Sequence, residues 1–399
     1  MTRDRIYDVA VIGGGPSGAT AATDLAQAGL SVLLIDRPGR IKPCGGAIPP
    51  RLMAEFDIPE QLLVARARAA RIVSPKARAV DMPVHNGFVG MVDRDIFDEW
   101  LRERARDAGA ERFNGQVTGL ERGDDGGWRI IVKPSDTRRA DQTLPVRARI
   151  AIGADGANSI VARQGLPNMP RPPFVFAYHE VIRSPDNGYR DFDASRCDIH
   201  YRGDLSPDFY SWVFPHGGCT SVGTGTAQQG FSLRNAIAQF RRETGLDGFE
   251  TVRREGAPIP LKPMKKWDNG ADLLVVGDAA GIVAPASGEG IYYAMNGGRL
   301  AAQAVQQCLE TGNGRALGLA RKRFMRAHGR VFWVLGIMQR FWYSSDKRRE
   351  RFVRICEDPD VQYLTWEAYM HKRLVKARPG AHMRIFMKDM GHLLGLLPT

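Results

Sequence analysis

The chain has 399 residues, is 43% hydrophobic and carries a net charge of +12. This apolar content is enough to bury one large core or two smaller ones. Its longest strongly apolar stretches, such as Val331–Met338, are shorter than the about 20 residues that a membrane-spanning helix needs. The five cysteines show no C-x-x-C spacing, which argues against a zinc site or a disulfide framework and suits a reducing compartment. The first predicted strand begins near Ile6, so we expect no signal peptide ahead of it.

A glycine-rich turn follows that first strand and opens a predicted helix, and a second strand ends in an acid at Asp36. Glycines let the backbone approach a pyrophosphate, and the N-terminus of the helix offers N–H groups to it. The acid suits a ribose 2′-hydroxyl and would repel the 2′-phosphate of NADP. FAD and NAD both fit, and a glycine-rich loop without a ligand is the alternative. The predicted cofactor-binding residues here are Gly13, Gly14, Gly15, Pro16, Ser17, Gly18, Asp36 and Arg37.

Two more strands end in acids, one at Asp155 and one at Asp278. Ligands of open α/β sheets lie at the carboxyl ends of the strands, where such an acid can bind the hydroxyls of a ribityl chain. A predicted helix starts at Ile291, and its N-terminus can face the N1/O2 edge of a reduced flavin. An NAD enzyme needs no such pair of acids. The predicted cofactor-binding residues in these segments are Asp155, Gly277, Asp278, Pro285, Gly288, Glu289, Gly290 and Ile291.

Together the three segments resemble the FAD-dependent family built like p-hydroxybenzoate hydroxylase. The resemblance implies an α/β fold: a Rossmann-like FAD-binding domain, an inserted antiparallel-sheet substrate domain and a helical C-terminal region. It also implies that Arg94 contacts the FAD pyrophosphate and that Val117 lies at the cofactor; the alternative for Arg94 is an ordinary salt bridge in the first turn of its helix. The expected boundaries are 1–65, 90–165 and 266–311 for the FAD domain, 66–89 and 166–265 for the substrate domain, and 312–399 for the helical basic region.

In that fold the segment after the ribose acid runs over the isoalloxazine ring. The resemblance therefore implies that Cys44, Gly45, Gly46 and Ala47 lie beside the flavin. Cys44 has three interpretations: a proton donor, a redox-sensitive gate, or a small buried hydrophobe.

The segment Tyr210-Ser-Trp212-Val-Phe214-Pro215 places three aromatic residues at alternate positions, hence on one face of a strand. That face is either part of a core or an apolar slot for a long substrate. With Lys-Pro-Cys-Gly-Gly at 42–46, this segment resembles the geranylgeranyl reductase family, in its (bacterio)chlorophyll-synthesis branch. The resemblance covers essentially the whole chain and implies that Tyr210, Trp212, Phe214 and Pro215 line a prenyl pocket. One departure is His216-Gly217, where many relatives lead us to expect a lysine.

The resemblance implies an NADPH-dependent saturation of C=C bonds in a geranylgeranyl group, carried on bacteriochlorophyll or as the diphosphate, to give phytyl. Hydride would pass from reduced flavin to one alkene carbon while an acid protonates the other. The chain has no second dinucleotide fingerprint, so NADPH would bind only transiently. Two alternatives remain: an aromatic monooxygenase or halogenase on the same scaffold, and a non-catalytic FAD-binding membrane adaptor.

Positive charge is concentrated between Arg315 and Arg354. This segment contains twelve Lys or Arg residues and only two acidic residues, with aromatic residues interleaved. This segment is either the solvated face of a helical cap or an amphipathic surface for anionic lipid. It carries no recognised nucleic-acid motif, so we expect no nucleic-acid partner. The resemblance implies a cytoplasmic protein, peripheral on the cytoplasmic face of the photosynthetic membrane.

Overall fold

The computed structural model describes residues 5–39, 41–85, 87–123, 126–136 and 143–372. The ends of two predicted domains, residues 1–4 and 373–399, lie outside this description. The chain divides into two compact units, each made of three separate segments. Unit 1 comprises Met1–Lys42, Arg94–Phe174 and Pro258–Phe332. Unit 2 comprises Pro43–Asp93, Val175–Ala257 and Trp333–Thr399.

Unit 1 is built on a six-stranded sheet with a parallel centre. Its strands are β1 (Ile6–Ile12), β2 (Val32–Asp36), β8 (Glu111–Arg122), β9 (Trp128–Pro134), β10 (Leu144–Gly153) and β16 (Leu273–Val275), numbered in chain order. Because β2, β1, β10 and β16 are parallel neighbours, their carboxyl ends meet at one edge of the sheet. Strands β8 and β9 form an antiparallel hairpin, and β9 also pairs with the first half of β10.

The helices of unit 1 pack around this sheet. They are α1 (Pro16–Gln27), α3 (Arg94–Asp107), α4 (Ile160–Gly165), α6 (Ile291–Thr311) and α7 (Leu319–Trp342), the last belonging to unit 1 as far as Phe332. Helix α1 begins with a proline, which is favoured at the first helical position, and small buried residues let it approach α6 closely. In the part of the chain that the structure describes, no helix is both long enough and apolar enough to cross a membrane.

Unit 2 contains a seven-stranded sheet in the order β15-β11-β14-β13-β12-β5-β6 and a three-stranded sheet in the order β3-β7-β4. Its strands are β3 (Ala47–Ile48), β4 (Leu63–Ala67), β5 (Ala69–Val73), β6 (Ala79–Pro83), β7 (Val89–Val92), β11 (Phe174–Arg183), β12 (Arg196–His200), β13 (Ser211–His216), β14 (Cys219–Thr226) and β15 (Thr251–Pro260). Its further helices are α2 (Pro50–Glu55), α5 (Leu233–Thr244), α8 (Asp346–Ile355) and α9 (Pro359–His371).

The predicted α/β class and the predicted sheet-forming segments of unit 2 are confirmed, with one refinement. Strands β11, β14, β13 and β12 pair antiparallel as expected, whereas β12 and β5 run parallel. The division of the chain also falls elsewhere than the expected boundaries. Residues 43–65 lie in unit 2 because the two-residue strand β3 pairs with β7 there.

Helix α5 covers one face of the seven-stranded sheet. Its Ile237 and Phe240 pack in one cluster with Val213 of β13 and Val222 of β14. Since side chains alternate along a strand, the neighbours of these valines point to the opposite face. The odd and even positions of β13 therefore have separate surroundings, with the aromatic positions on the face away from α5.

Candidate functional site

Three positions around the start of α1 are glycine for different structural reasons. Gly13 has φ +104°, and a side chain there would also overlap the carbonyl of Ala154. A methyl group at Gly18 would overlap the Gly13 carbonyl, so this glycine permits close packing of the helix on the strand. A methyl group at Gly15 would meet nothing within 4 Å. A dinucleotide-binding turn is expected to show this pattern, with room for a pyrophosphate at Gly15.

The N-terminus of α1 itself is available to an anion. Gly15 is the N-cap residue, and among the described residues no side chain caps the helix. The N–H groups of the first turn carry the positive end of the helix dipole. Predicted residues Gly14, Pro16 and Ser17 lie at this turn, which therefore has both the space and the donors for a phosphate.

The three predicted segments meet at the carboxyl edge of the unit 1 sheet. The N–H of Ala154 donates to the carbonyl of Ile12 at 2.7 Å, and that of Val276 donates to Gly153 at 2.8 Å. A side chain at Gly277 would overlap Ser17 of α1, so the end of β16 lies directly against the glycine turn. The convergence that the sequence predicted is thus present within unit 1.

Asp36 borders a cavity of about 270 Å³ at the end of β2. Its carboxylate accepts from the N–H of Arg37 at 2.8 Å and from Arg102 of α3 at 3.3 Å. Arg102 also donates to the carbonyl of Gly14, so it joins the ribose acid to the glycine turn. The cavity is lined by Leu34, Asp36, Arg37, Pro38, Gly39, Glu99, Arg102, Arg112, Phe113 and Asn114.

The arginines around this cavity were missed from the sequence. Arg102 lies two turns after the predicted Arg94 on the same helix, and this spacing was the available signal. Although burial pushes the pKa of Glu99 upward, its ion pairs with Arg102 and Arg112 hold that pKa below its ordinary value. The cavity therefore carries fixed charges of both signs, which suits the polar ribose of a nucleotide.

Arg94 forms an ion pair with Asp98, which agrees with the alternative interpretation of Arg94 as part of a salt bridge in the first turn of its helix. Its guanidinium and the Asp98 carboxylate are both buried and form two hydrogen bonds of 2.7 Å, one helical turn apart. A contact from Arg94 to a phosphate stays a prediction. Val117 is buried in β8 beside an irregularity in its pairing with β9.

The two strand-ending acids differ in their partners. Asp155 accepts from Ser159 at 2.5 Å and from the N–H of Ile160 at 2.7 Å, so its carboxylate fixes the start of α4. Burial raises the pKa of Asp155, against these hydrogen bonds, which lower it. Asp278 is also buried and forms an ion pair with Lys42. Lys42 was missed as a site residue, although it directly precedes the Pro-Cys-Gly-Gly motif.

The start of α6 lies next to Asp278. An added methyl group at Gly290 would be 3.9 Å from a carboxylate oxygen of Asp278, and no described side chain caps this helix. The N–H of Ala284 donates to the Glu289 carbonyl at 2.9 Å and closes the turn that leads into the helix. The remaining predicted residues of this turn are Pro285 and Ile291, which are buried, and Gly288, which has φ +66°.

The Cys44 segment lies in unit 2 and packs on β13. A side chain at Gly45 would be 3.0 Å from the ring of Phe214, and the carbonyl of Gly45 lies 3.1 Å from Nε2 of His216. The other ring nitrogen of His216 lies 3.2 Å from Asp93. His216, the departure from the family pattern, therefore ties this segment to β13.

Two short contacts fix the Cys44 segment internally. The thiol of Cys44 accepts from the N–H of Gly46 at 3.4 Å, and the carbonyl of Gly46 accepts from Val92 at 3.0 Å. Cys44 is partly buried, and Ala47 continues the segment into β3. The two motifs that carried the family resemblance are thus joined within unit 2.

Two of the three alternating aromatic residues, Trp212 and Phe214, lie in β13, and Tyr210 directly precedes that strand. The ring centroids of Tyr210 and Trp212 are 5.9 Å apart, and those of Trp212 and Phe214 are 6.1 Å apart. Across the sheet Trp212 faces Gly223 and Phe214 faces Ser221, so small residues of β14 leave room for the rings. Pro215 is buried within the same strand. The result is one apolar row of large rings beside a row of small residues.

Residues 8–169 match the family of FAD dependent oxidoreductases. The open turn, the uncapped helix and the three converging segments of unit 1 fit that cofactor. The fold and the site therefore define an FAD-dependent oxidoreductase. Geranylgeranyl diphosphate reductase of Rhodobacter capsulatus is 53% identical over 392 residues, which cover 98% of each chain. The chain belongs to this geranylgeranyl diphosphate reductase family.

Solved structures support the same fold. A geranylgeranyl bacteriochlorophyll reductase-like protein of Thermoplasma acidophilum superposes with a TM-score of 0.79 at 23% identity, over 94% of this chain and 99% of that one. A flavin-dependent brominase superposes with a TM-score of 0.67 at 18% identity, over 92% of this chain and 100% of that one. At these identities the likeness is one of fold, so the halogenase alternative rests on a distant relationship.

Proposed function

We propose that this protein saturates carbon–carbon double bonds of a geranylgeranyl group to give a phytyl group, with FAD as its cofactor. The group is carried on bacteriochlorophyll or on diphosphate. The observation that carries the proposal is the apolar row formed by Trp212 and Phe214, on the face of β13 away from α5, and by Tyr210 directly before that strand. An isolated alkene has no hydrogen-bonding group, so an apolar face is the surface that can hold it in register.

When bound, reduced FAD supplies the hydride that such a reduction needs. In unit 1, the N–H groups of α1 would hold the pyrophosphate and Asp36 the ribose. Asp278 would bind the ribityl hydroxyls, and this requires Lys42 to share or release its carboxylate. Cys44 is proposed to lie beside the flavin.

The aromatic row would exclude water from the alkene, which protects a transferable hydride from side reactions. Several double bonds must be reduced in turn, so the prenyl chain must slide or rebind along the row. Rings without fixed polar anchors permit that movement, because no hydrogen bond has to break between positions.

Anaerobic incubation with NADPH and geranylgeranyl diphosphate, or with pigment bearing an unsaturated tail, tests the proposal. We expect stepwise gains of hydrogen in the product by mass spectrometry, and the preferred carrier will be the one that reacts faster. NADPH oxidation that occurs only in a parallel aerobic incubation, without hydrogen gain in the product, would instead identify a monooxygenase or halogenase. Bound flavin that NADPH cannot reduce would identify a non-catalytic adaptor.

NADPH is the proposed electron donor, and a second cavity of unit 1 supports a docking place for it. This cavity has a volume of about 300 Å³ and exposes Arg163 and Arg171, and none of its described lining residues is acidic. Guanidinium groups bind phosphate oxygens in a bidentate fashion. The cavity at Asp36 differs in that it also contains the carboxylates of Asp36 and Glu99, which would repel a 2′-phosphate.

Replacing Arg163 and Arg171 together by alanine is expected to raise KM for NADPH about tenfold, the loss of one charged phosphate contact. KM for NADH should change little, since NADH lacks the 2′-phosphate. Steady-state flavin reduction with each donor measures this difference. Arg129→Ala, which removes an exposed arginine of β9, is the matched control. Equal rises for NADPH and NADH would contradict the assignment.

An anionic membrane surface is the proposed partner of α7 and α8. Trp333 is 69% exposed, and Ile337, one turn later, is 47% exposed. Arg340 continues this face of α7, and Lys347 and Arg348 are exposed in α8. Apolar side chains flanked by cations fit the headgroup region, where each cation contributes about 1 kcal/mol. This surface would hold the protein at the cytoplasmic face of the photosynthetic membrane.

We expect the full chain to sediment with vesicles containing phosphatidylglycerol and not with neutral phosphatidylcholine vesicles. The double variant Trp333→Ala, Ile337→Ser should weaken that binding about tenfold through the lost apolar area. Ile96→Ser changes an isoleucine of α3 that is 56% exposed and should leave vesicle binding intact. Failure to sediment with either vesicle type would leave the solvated helical cap as the correct interpretation, and equal binding to both would contradict the proposed role of the cations.

A further inference from the structure

Unit 2 contains a continuous chain of polar contacts behind the aromatic row. The indole N–H of Trp212 donates to Oγ of Ser221 at 3.1 Å. That oxygen lies 2.8 Å from Nδ1 of His179, and Nε2 of His179 lies 3.0 Å from Oε2 of Glu255. Arg253 forms an ion pair with the other oxygen of Glu255 at 2.8 Å. The contacts link five residues that come from four neighbouring strands, with Arg253 and Glu255 both on β15.

The donors and acceptors in this series of contacts allow all its hydrogen bonds to run in the same direction, from Trp212 towards Glu255. An indole nitrogen only donates, and an ionised carboxylate only accepts. With the proton of the neutral imidazole on Nε2, His179 donates to Glu255 and accepts from the Ser221 hydroxyl. Burial alone would raise the pKa of Glu255, but the His179 hydrogen bond and the charge of Arg253 hold it below its ordinary value. The polar side-chain atoms of Trp212, Ser221 and His179 are then all hydrogen-bonded in one arrangement of the indole.

Strand register explains why this series of polar contacts ends at the Trp212 indole. Gly223 of β14 lies directly opposite Trp212 on one side and His179 on the other. A methyl group at Gly223 would overlap the indole and lie 2.7 Å from Cβ of His179. The glycine therefore leaves the space in which the indole lies flat and reaches Ser221.

A serine, a histidine and a glutamate in this order also resemble a nucleophile with its base. Ser221 is only 2% exposed, and its oxygen already accepts from the Trp212 indole. A nucleophile needs an open approach to its oxygen. The arrangement is therefore suited to holding the tryptophan and not to attacking a substrate.

We propose that Ser221, His179 and Glu255 are positioning residues that fix the Trp212 indole and so set which double bonds of the prenyl chain are reduced. The proposal rests on the proposed function, since Trp212 must face the prenyl chain. Without the chain of contacts the indole can occupy other rotamers, and the width of the apolar row changes. The expected effect is on product distribution and prenyl KM, with the flavin chemistry unaffected.

Indole ¹⁵N–¹H spectra of the FAD-bound protein test the anchor independently of turnover. The chain has seven tryptophans, and Trp212→Phe identifies the relevant signal by its disappearance. We expect Ser221→Ala and Glu255→Ala each to move that signal, and Glu255→Gln, whose amide oxygen still accepts, to restore it. Ser184→Ala removes a different hydroxyl contact of the same sheet, to Thr220, and should not move it. An unmoved signal in both alanine variants would overturn the anchor.

The same variants are then assayed with geranylgeranyl substrate. Ser221→Ala and Glu255→Ala should accumulate partly reduced products and raise prenyl KM about tenfold, while NADPH reduces the flavin within about twofold of the native rate. Glu255→Gln should recover the native product pattern. Native product patterns in variants whose Trp212 signal has moved would overturn the proposal. A native protein that reduces no prenyl substrate would instead refute the proposed function, and the spectra would still report on the anchor.

Discussion

Gly223→Ala is expected to lower kcat/KM for prenyl reduction about 10²-fold while the protein keeps its FAD. The added methyl group would overlap the Trp212 indole and crowd His179, and both neighbours are held by hydrogen bonds and cannot simply yield. Overpacking of this kind costs about 1–3 kcal/mol, less than the about 5–15 kcal/mol that stabilises a typical domain. The protein should therefore fold with a displaced ring, and a displacement near 1 Å lowers kcat/KM about 10²-fold.

The measurement is kcat/KM for the prenyl substrate, taken together with flavin absorbance and the rate of flavin reduction by NADPH. Gly218→Ala is the matched control, because Gly218 lies in the turn between the same two strands and a methyl group there meets nothing within 4 Å. It should retain native activity. Trp212→Ala, which deletes the ring itself, should resemble Gly223→Ala with flavin retained. Native turnover in Trp212→Ala would remove this residue from the prenyl slot.

The predictions that the structure supports rest on local patterns. A glycine turn between two buried strands needs only neighbouring residues to be recognised, and the same holds for alternating rings on β13. Acids at strand ends are predictable for a similar reason, since parallel strands bring their carboxyl ends together. These patterns predicted which segments of unit 1 converge. They did not predict which side chains form the contacts between those segments.

The missed residues depend on long-range register. His179 and Glu255 are 76 positions apart in sequence and meet only because β11 and β15 are neighbours in the sheet. His216 was noticed as a departure, yet its partners Asp93 and Gly45 are distant in sequence. The division of the chain near residue 43 differed from the expected boundary for the same reason. Strand β3 has only two residues and forms a strand only by pairing with β7, which is distant in sequence. No local periodicity encodes such pairs.

Gly15→Ala is expected to prevent FAD retention without destabilising the apoprotein. Apart from its chain neighbours, the methyl group would meet no atom of the described residues within 4 Å, and φ of −73° is ordinary for alanine. Under the proposed assignment the pyrophosphate approaches the N-terminus of α1 at this residue, so the methyl group would crowd a bound dinucleotide. Asp36→Ala should also lose FAD, by about tenfold or more in affinity, because a charged hydrogen-bond acceptor for the ribose is removed.

Flavin absorbance after purification and thermal unfolding of the apoprotein separate binding from folding. Gly13→Ala is the informative contrast, since Gly13 has φ +104° and a methyl group there overlaps Ala154. That variant should unfold at a lower temperature with or without FAD, whereas Gly15→Ala should match the native apoprotein. A Gly15→Ala protein that purifies fully yellow would show that the cofactor does not approach this turn. The assignment of the glycine turn as the pyrophosphate site would then be wrong, because the space ahead of Gly15 is its main structural support.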